Sequence, residues 1–389
     1  GSSAGYSAQA ANSIAIGNTA GRDAQGEKSV AMGYQAARNA QGAAAVAIGD
    51  TAALNAQGIN TVAIGLLSGC NAQGASAVAV GVNSGRVSQG SSAVAIGDSA
   101  GKTSQGNNAT AIGNLAGLNQ QGAQCVAVGY LAGQVSQNTY AVAVGVAAGC
   151  NAQGTLATAV GPDAGKFVQG INATAVGYQA GSASQGNYSV AVGNRSGYAD
   201  QGLEAVAIGA IAGCDSQGNY AIAIGAQAGR LNQGTYATAM GYAAGSNAQG
   251  ANSVAVGLGA GKVSQGANSV AIGDHAGSNA QGGSSVAIGN LAGSADQAAN
   301  SVAVGLHAGR NAQGVNATAV GNSAGSADQG AQAVAIGIGA GQNAQGNDTV
   351  SVGAFAGSNS QGSAATAVGF YAGYNAQGTR ATAIGEIAG

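Results

Sequence analysis

The chain has no tryptophan, one proline and three phenylalanines, and only 6% of its residues are charged. Each scarcity removes a class of answer. Collagen needs abundant proline beside a glycine at every third position, so one proline in 389 residues excludes it. Disordered chains are poor in apolar residues and rich in charge, whereas 46% of this chain is hydrophobic. No apolar run approaches the length of a membrane-spanning helix, and no signal peptide is visible. A formal charge of -2 exerts no whole-chain pull on nucleic acid or anionic membrane, and little repulsion between copies.

What is present is periodic. A glutamine recurs at every sixteenth position from Gln9 to Gln377, including Gln25, Gln41 and Gln57. A glycine column, with Gly33, Gly49 and Gly65, is equally unbroken from Gly17 to Gly385. After each glutamine the consensus is G-x-x-[AS]-[VIT]-A-[IV]-G-x-x-[AS]-[GA]-x-x-x-Q. A short repeat without insertions means one structural unit stacked many times. The stretch Ser29 to Gly33 alternates β-branched or long apolar residues with small ones, which is a strand period rather than a helical one.

Sixteen residues suit two short strands and two tight turns, with the glycine columns supplying corners. The expected fold is all-β: a parallel β-solenoid of about 24 coils, each about 4.8 Å from the next, giving a rod on the order of 115 Å long. Residues 1–389 form one continuous array in this reading. Because it starts and stops inside the repeat, the chain is read as part of a longer fibre protein. The glutamines are expected to form an amide ladder that satisfies backbone at a corner.

Both faces of the first strand are restricted. One carries Val46 and Ile48, the other Ala31, Ala47 and Ala63 in a column broken only by Ser351. The expectation is that valine and isoleucine fill the coil's own core. The alanine column, Ala31, Ala47 and Ala63, would then pack against another chain, the plainer alternative being that small residues ease the strand past a tight bend.

No catalytic constellation is visible, so the chain is read as a non-enzyme without cofactor or metal. His275 and His307 stand two coils apart with no carboxylate or cysteine column beside them. Cys70, Cys150 and Cys214 share a column read as outward, too far apart for intrachain disulfides, and Cys125 replaces a small core residue. The same column as Cys70 holds Arg22, Arg38, Arg86, Lys102, Lys166, Arg230, Lys262 and Arg310, which is 8 of the 11 basic residues. Such a stripe could hold a polyanionic polysaccharide, or meet acids such as Asp200 and Asp296 on a second rod; a merely solvated edge is the plainer reading. Tyr220 and Tyr236 share another column on consecutive coils, close enough to stack. They add a second candidate surface for glycans or a neighbouring fibre.

Asn12-Ser-Ile-Ala-Ile-Gly17, Asn268-Ser-Val-Ala-Ile-Gly273 and Asn300-Ser-Val-Ala-Val-Gly305 resemble the head repeats of trimeric autotransporter adhesins. The 16-residue spacing with Gln-Gly turns is also similar to repeats in fibre proteins of phages and large DNA viruses. The resemblance implies a left-handed β-roll, three chains side by side and a surface location. The leading functional expectation is a structural shaft of an extracellular or virion-surface fibre, built by stacking and lateral homo-oligomerisation as a trimer or an end-to-end filament. An adhesin head binding glycan or matrix is the alternative, and an ice-binding protein is a weaker one. Neither nucleic acid nor membrane insertion is expected.

Overall fold

The computed structural model describes all 389 residues, and every regular element is a strand. Contacts divide the chain into two compact units, Gly1–Tyr198 and Ala199–Gly389. The same 16-residue coil builds both. One strand of the coil has the pattern of Val46–Ile48 and the other that of Asn55–Gln57. Each pairs in parallel with its counterpart sixteen residues on. Val46, Ala47 and Ile48 face Val62, Ala63 and Ile64, while Asn55 and Gln57 face Asn71 and Gln73.

In the first unit, strands of the first type run from Ile14–Ile16 to Val190–Val192 and those of the second type from Asn39–Gln41 to Ser184–Gln185. The second unit repeats this, from Val206–Ile208 to Thr382–Ile384 and from Ala199–Gln201 to Asn359–Gln361. At Asn279 the second sheet continues through single-residue pairings with Val263 and Ala295. Both units are thus parallel β-solenoids, as the spacing predicts.

The interior reverses the expected assignment of faces. Ala31, Ala47 and Ala63 are 0% exposed and sit in the core of their own coils with Ala36 and Ala53. They cannot touch a second chain, so they are not an interface. The valine and isoleucine side chains point outward instead, with Val62 half-buried and Ile64 exposed on either side of buried Ala63. Period 2 separates two faces but does not say which is inside; the space within the coil decides it. A methyl group added at Gly69 would lie 2.8 Å from Gln73 Oε1 and 3.2 Å from Ala63 Cβ. An interior that tight takes alanine methyls and glutamine amides from the facing sheet, and excludes pairs of β-branched side chains.

The corners use two devices. Gly33, Gly49 and Gly65 close the first strand at φ 132, 134 and 126. A Cβ at Gly49 would come within 2.6 Å of the Gly65 carbonyl oxygen, so this column needs glycine for both conformation and space. Elsewhere in the coil, ordinary residues adopt the left-handed region, as at Asn60 (φ 56), Leu67 (φ 57) and Ala72 (φ 56). Such residues carry strain that the regular ladders on either side hold in place.

Replacing Gly113 tests the corner. Its φ is 125, and an added Cβ would lie 2.7 Å from the Gly129 carbonyl oxygen. Gly113→Ala is expected to destabilise its unit by about 1–3 kcal/mol, read as a lower urea midpoint with the circular dichroism spectrum of the folded state retained.

Candidate functional site

The glutamine column works inside the coil. Gln25 Nε2 donates to the Ile14 carbonyl at 2.7 Å, Gln41 Nε2 to that of Val30 at 2.8 Å, and Gln57 Nε2 to that of Val46 at 3.0 Å. Each bond ties the second sheet to the first across the interior. Amide-to-amide links add a ladder along the stack, such as Gln105 Nε2 to Gln121 Oε1 at 3.1 Å and Gln121 Nε2 to Gln137 Oε1 at 3.2 Å. Ser351, the one break in the alanine column, is absorbed by this ladder. Its hydroxyl accepts from Gln345 Nε2 at 3.1 Å and donates to Gln361 Oε1 at 2.6 Å.

The outward face of the first strand is apolar in coil after coil. Ile64, Ile96 and Ile112 are each 38–39% exposed, each beside a half-buried valine or threonine. Beyond the glycine corner the next column adds exposed Leu66, Val82 and Tyr130. Sequence reasoning placed the valine and isoleucine face of the strand in the core; the constancy of alanine beside its variation between valine, isoleucine, threonine and methionine was the available signal.

The basic column divides on inspection. Arg22 makes a two-pronged bond to Asp23, with Nε to Oδ1 at 2.8 Å and Nη2 to Oδ2 at 2.9 Å. That bond holds the Asp23 carboxyl below its ordinary pKa, and Arg38 adds to the effect. Lys166 pairs with Asp163 at 3.0 Å. Arg38, Arg86 and Lys102 are half-buried and make no ion pair, while Arg230, Lys262 and Arg310 are exposed. Tyr220 and Tyr236 stack with centroids 4.9 Å apart and rings 4° from parallel.

The cysteine column is not outward in effect. Cys70, Cys150 and Cys214 are 4%, 6% and 3% exposed. The charges of Arg86 and Lys166, each one coil further on, act on Cys70 and Cys150 respectively. A short side chain in a column of long ones is covered by its neighbours. Burial raises both thiol pKa values, and those cations offset part of the rise. Cys125 fills a core position, where its thiol donates to the Asn138 carbonyl at 2.7 Å and burial raises its pKa. His275 contacts Asp274, which also accepts from Asn290 Nδ2 at 3.2 Å, and no group of three potential metal ligands is present.

Residues 24–52, 169–196 and 233–260 match the family model described as YadA head domain repeat (2 copies). Over these segments the coil is similar to that repeat. Each matched segment contains two consecutive strands of the first type, for example Val30–Met32 with Val46–Ile48. No curated protein matches the chain.

Two outcomes check this picture. Gln121→Leu removes the donor to the Thr110 carbonyl and one rung on each side. It should cost about 1–3 kcal/mol in urea unfolding, because buried partners are left unsatisfied. For Cys125, the raised thiol pKa means that the unfolded chain loses its proton first as pH rises. Stability is therefore expected to fall above roughly pH 8.5, the ordinary thiol value, and Cys125→Ser should reduce that alkaline decline in a pH series of thermal melts.

Proposed function

We propose that this chain is a non-catalytic structural repeat protein of an extracellular or virion-surface fibre, assembling side by side with copies of itself through its valine–isoleucine face. The observation that carries the proposal is the exposure of that face at coil after coil, while small residues and glutamine amides fill the inside. Contiguous exposed apolar surface on this scale marks an interaction site. In the first unit it runs along the strands from Ile14–Ile16 to Val190–Val192. A strip about 10 Å wide at about 4.8 Å per coil gives on the order of 600 Å² for this unit, at the lower end of one side of a standard interface.

A second copy is the partner that fits, because only a surface with the same 16-residue pitch presents a matching side chain at every coil. The YadA-head-like match supports an adhesin-like setting on a surface, and a trimer is the assembly that the resemblance implies. Cationic and tyrosine columns lie outside the proposed contact face and stay available to glycan or matrix, so the adhesin reading accompanies the structural one.

Sedimentation equilibrium tests the assembly. The unmodified chain is expected as a homo-oligomer, with three copies as the favoured number. Val62→Lys with Ile64→Lys and Val94→Lys with Ile96→Lys should shift it towards monomer, since charge replaces apolar contact at the face. Circular dichroism should be unchanged, because these side chains do not fill the core. A native chain that stays monomeric at tens of micromolar would sink the proposal.

A further inference from the structure

The geometry points to a binding site for an acidic polysaccharide beside the second sheet in the first unit, built by Arg86, Lys102, Ser88, Ser91 and Asn107. Arg86 and Lys102 stand on neighbouring coils, joined by the bond from Val87 N–H to the Lys102 carbonyl at 2.9 Å. The strands they precede pair in register, with Val87 facing Thr103 and Gln89 facing Gln105. Two like charges are therefore held about one coil, ~4.8 Å, apart at the backbone. Neither is neutralised within the protein. The Arg86 Nε is buried and has no hydrogen-bond partner.

The other adjacent-coil pair, Arg22 and Arg38, shares the unpartnered guanidinium Nε at Arg38 but differs in that Asp23 is bonded to Arg22 and its charge also acts on Arg38. At Arg86 and Lys102 the counter-charge must come from outside. A sulfate or carboxylate seated between them would relieve the repulsion and make charge-assisted hydrogen bonds.

The same coils carry a groove with hydroxyl and amide groups in its lining. An open groove of about 450 Å³ is lined by Ala72, Gly74, Ser88, Gly90, Ser91 and Asn107, among others. Exposed Ser88 is two residues from Arg86 along the chain, which brings the groove close to the cations. Asn107 Oδ1 accepts the Ser91 N–H at 2.9 Å, which fixes its side chain across the groove. Its Nδ2 and the Ser88 and Ser91 hydroxyls make no hydrogen bond within the protein, so they are free to meet sugar hydroxyls. The corresponding groove at Ala8, Gln9, Ala24 and Gln25 has no hydroxyl lining, and Arg22, two residues before Ala24, is bonded to Asp23.

Anionic groups spaced along a chain, with hydroxyls between them, are the chemistry of a sulfated or uronic-acid polysaccharide. Single-stranded nucleic acid would instead need aromatic surfaces for its bases, and no aromatic side chain lines this groove.

The test is titration of the full chain with a heparin hexasaccharide at low and at physiological salt. Arg86→Ser with Lys102→Ser is expected to weaken binding about tenfold or more, and Arg230→Ser with Lys262→Ser, the same loss of charge at exposed and separate cations, by less than about twofold. Ser88→Leu with Ser91→Leu should also weaken binding while keeping every charge. Should the Arg86 and Lys102 double variant lose its fold, Lys102→Ser alone and the groove variant decide the question. Equal weakening by the two charge variants, equal binding of oligothymidylate, or no binding by the native chain would each overturn the site.

Discussion

The side-chain amide that crosses the inside of coil after coil is the interaction on which this structure depends. Gln41 reaches the Val30 carbonyl, and Gln57 reaches that of Val46, so one residue per coil fastens the second sheet to the first. An amide is long enough to span the interior and polar enough to need partners there. Its presence sets the rest of the cross-section. Alanine and serine are left to fill what remains, and the larger apolar residues are displaced to the surface. A hydrophobic exterior is thus a consequence of a polar fastening within.

Most of the coil was legible in the sequence. The sixteen-residue frame fixed the register of Val46 on Val62 before any coordinates, and alternation identified the first strand. Two features were not. Alternation at Ala47 shows that the two faces differ, but the inner one is chosen by volume, and the volume depends on where Gln57 places its amide. Left-handed conformations at Leu67 and Ala72 were hidden because nothing in leucine or alanine announces them. They are imposed by closing sixteen residues into a ring, a constraint on the whole coil rather than on either residue.

The candidate sites were legible only as columns. Position in the repeat correctly grouped Arg22, Arg38, Arg86 and Lys102, yet it could not tell which charges were already satisfied. Asp23 sits one residue from Arg22, and Asp163 three from Lys166, so local acids neutralise some members and not others. The cysteines teach the same lesson in reverse. A column read as outward still buries Cys70, because exposure there is decided by the length of the neighbouring side chains.

The unbroken frame also bears on how such a chain can change. Within each unit, coils meet their neighbours through the same pairing of strand residues with those sixteen away, as at Ala95 with Ala79 and Ala111. Recombination that adds or removes a whole coil leaves each strand facing an equivalent partner, whereas a gain or loss of one residue would turn the apolar face inward from that point on. Coil number is therefore open to rapid variation between related genes, while surface chemistry can drift one coil at a time without disturbing the rest.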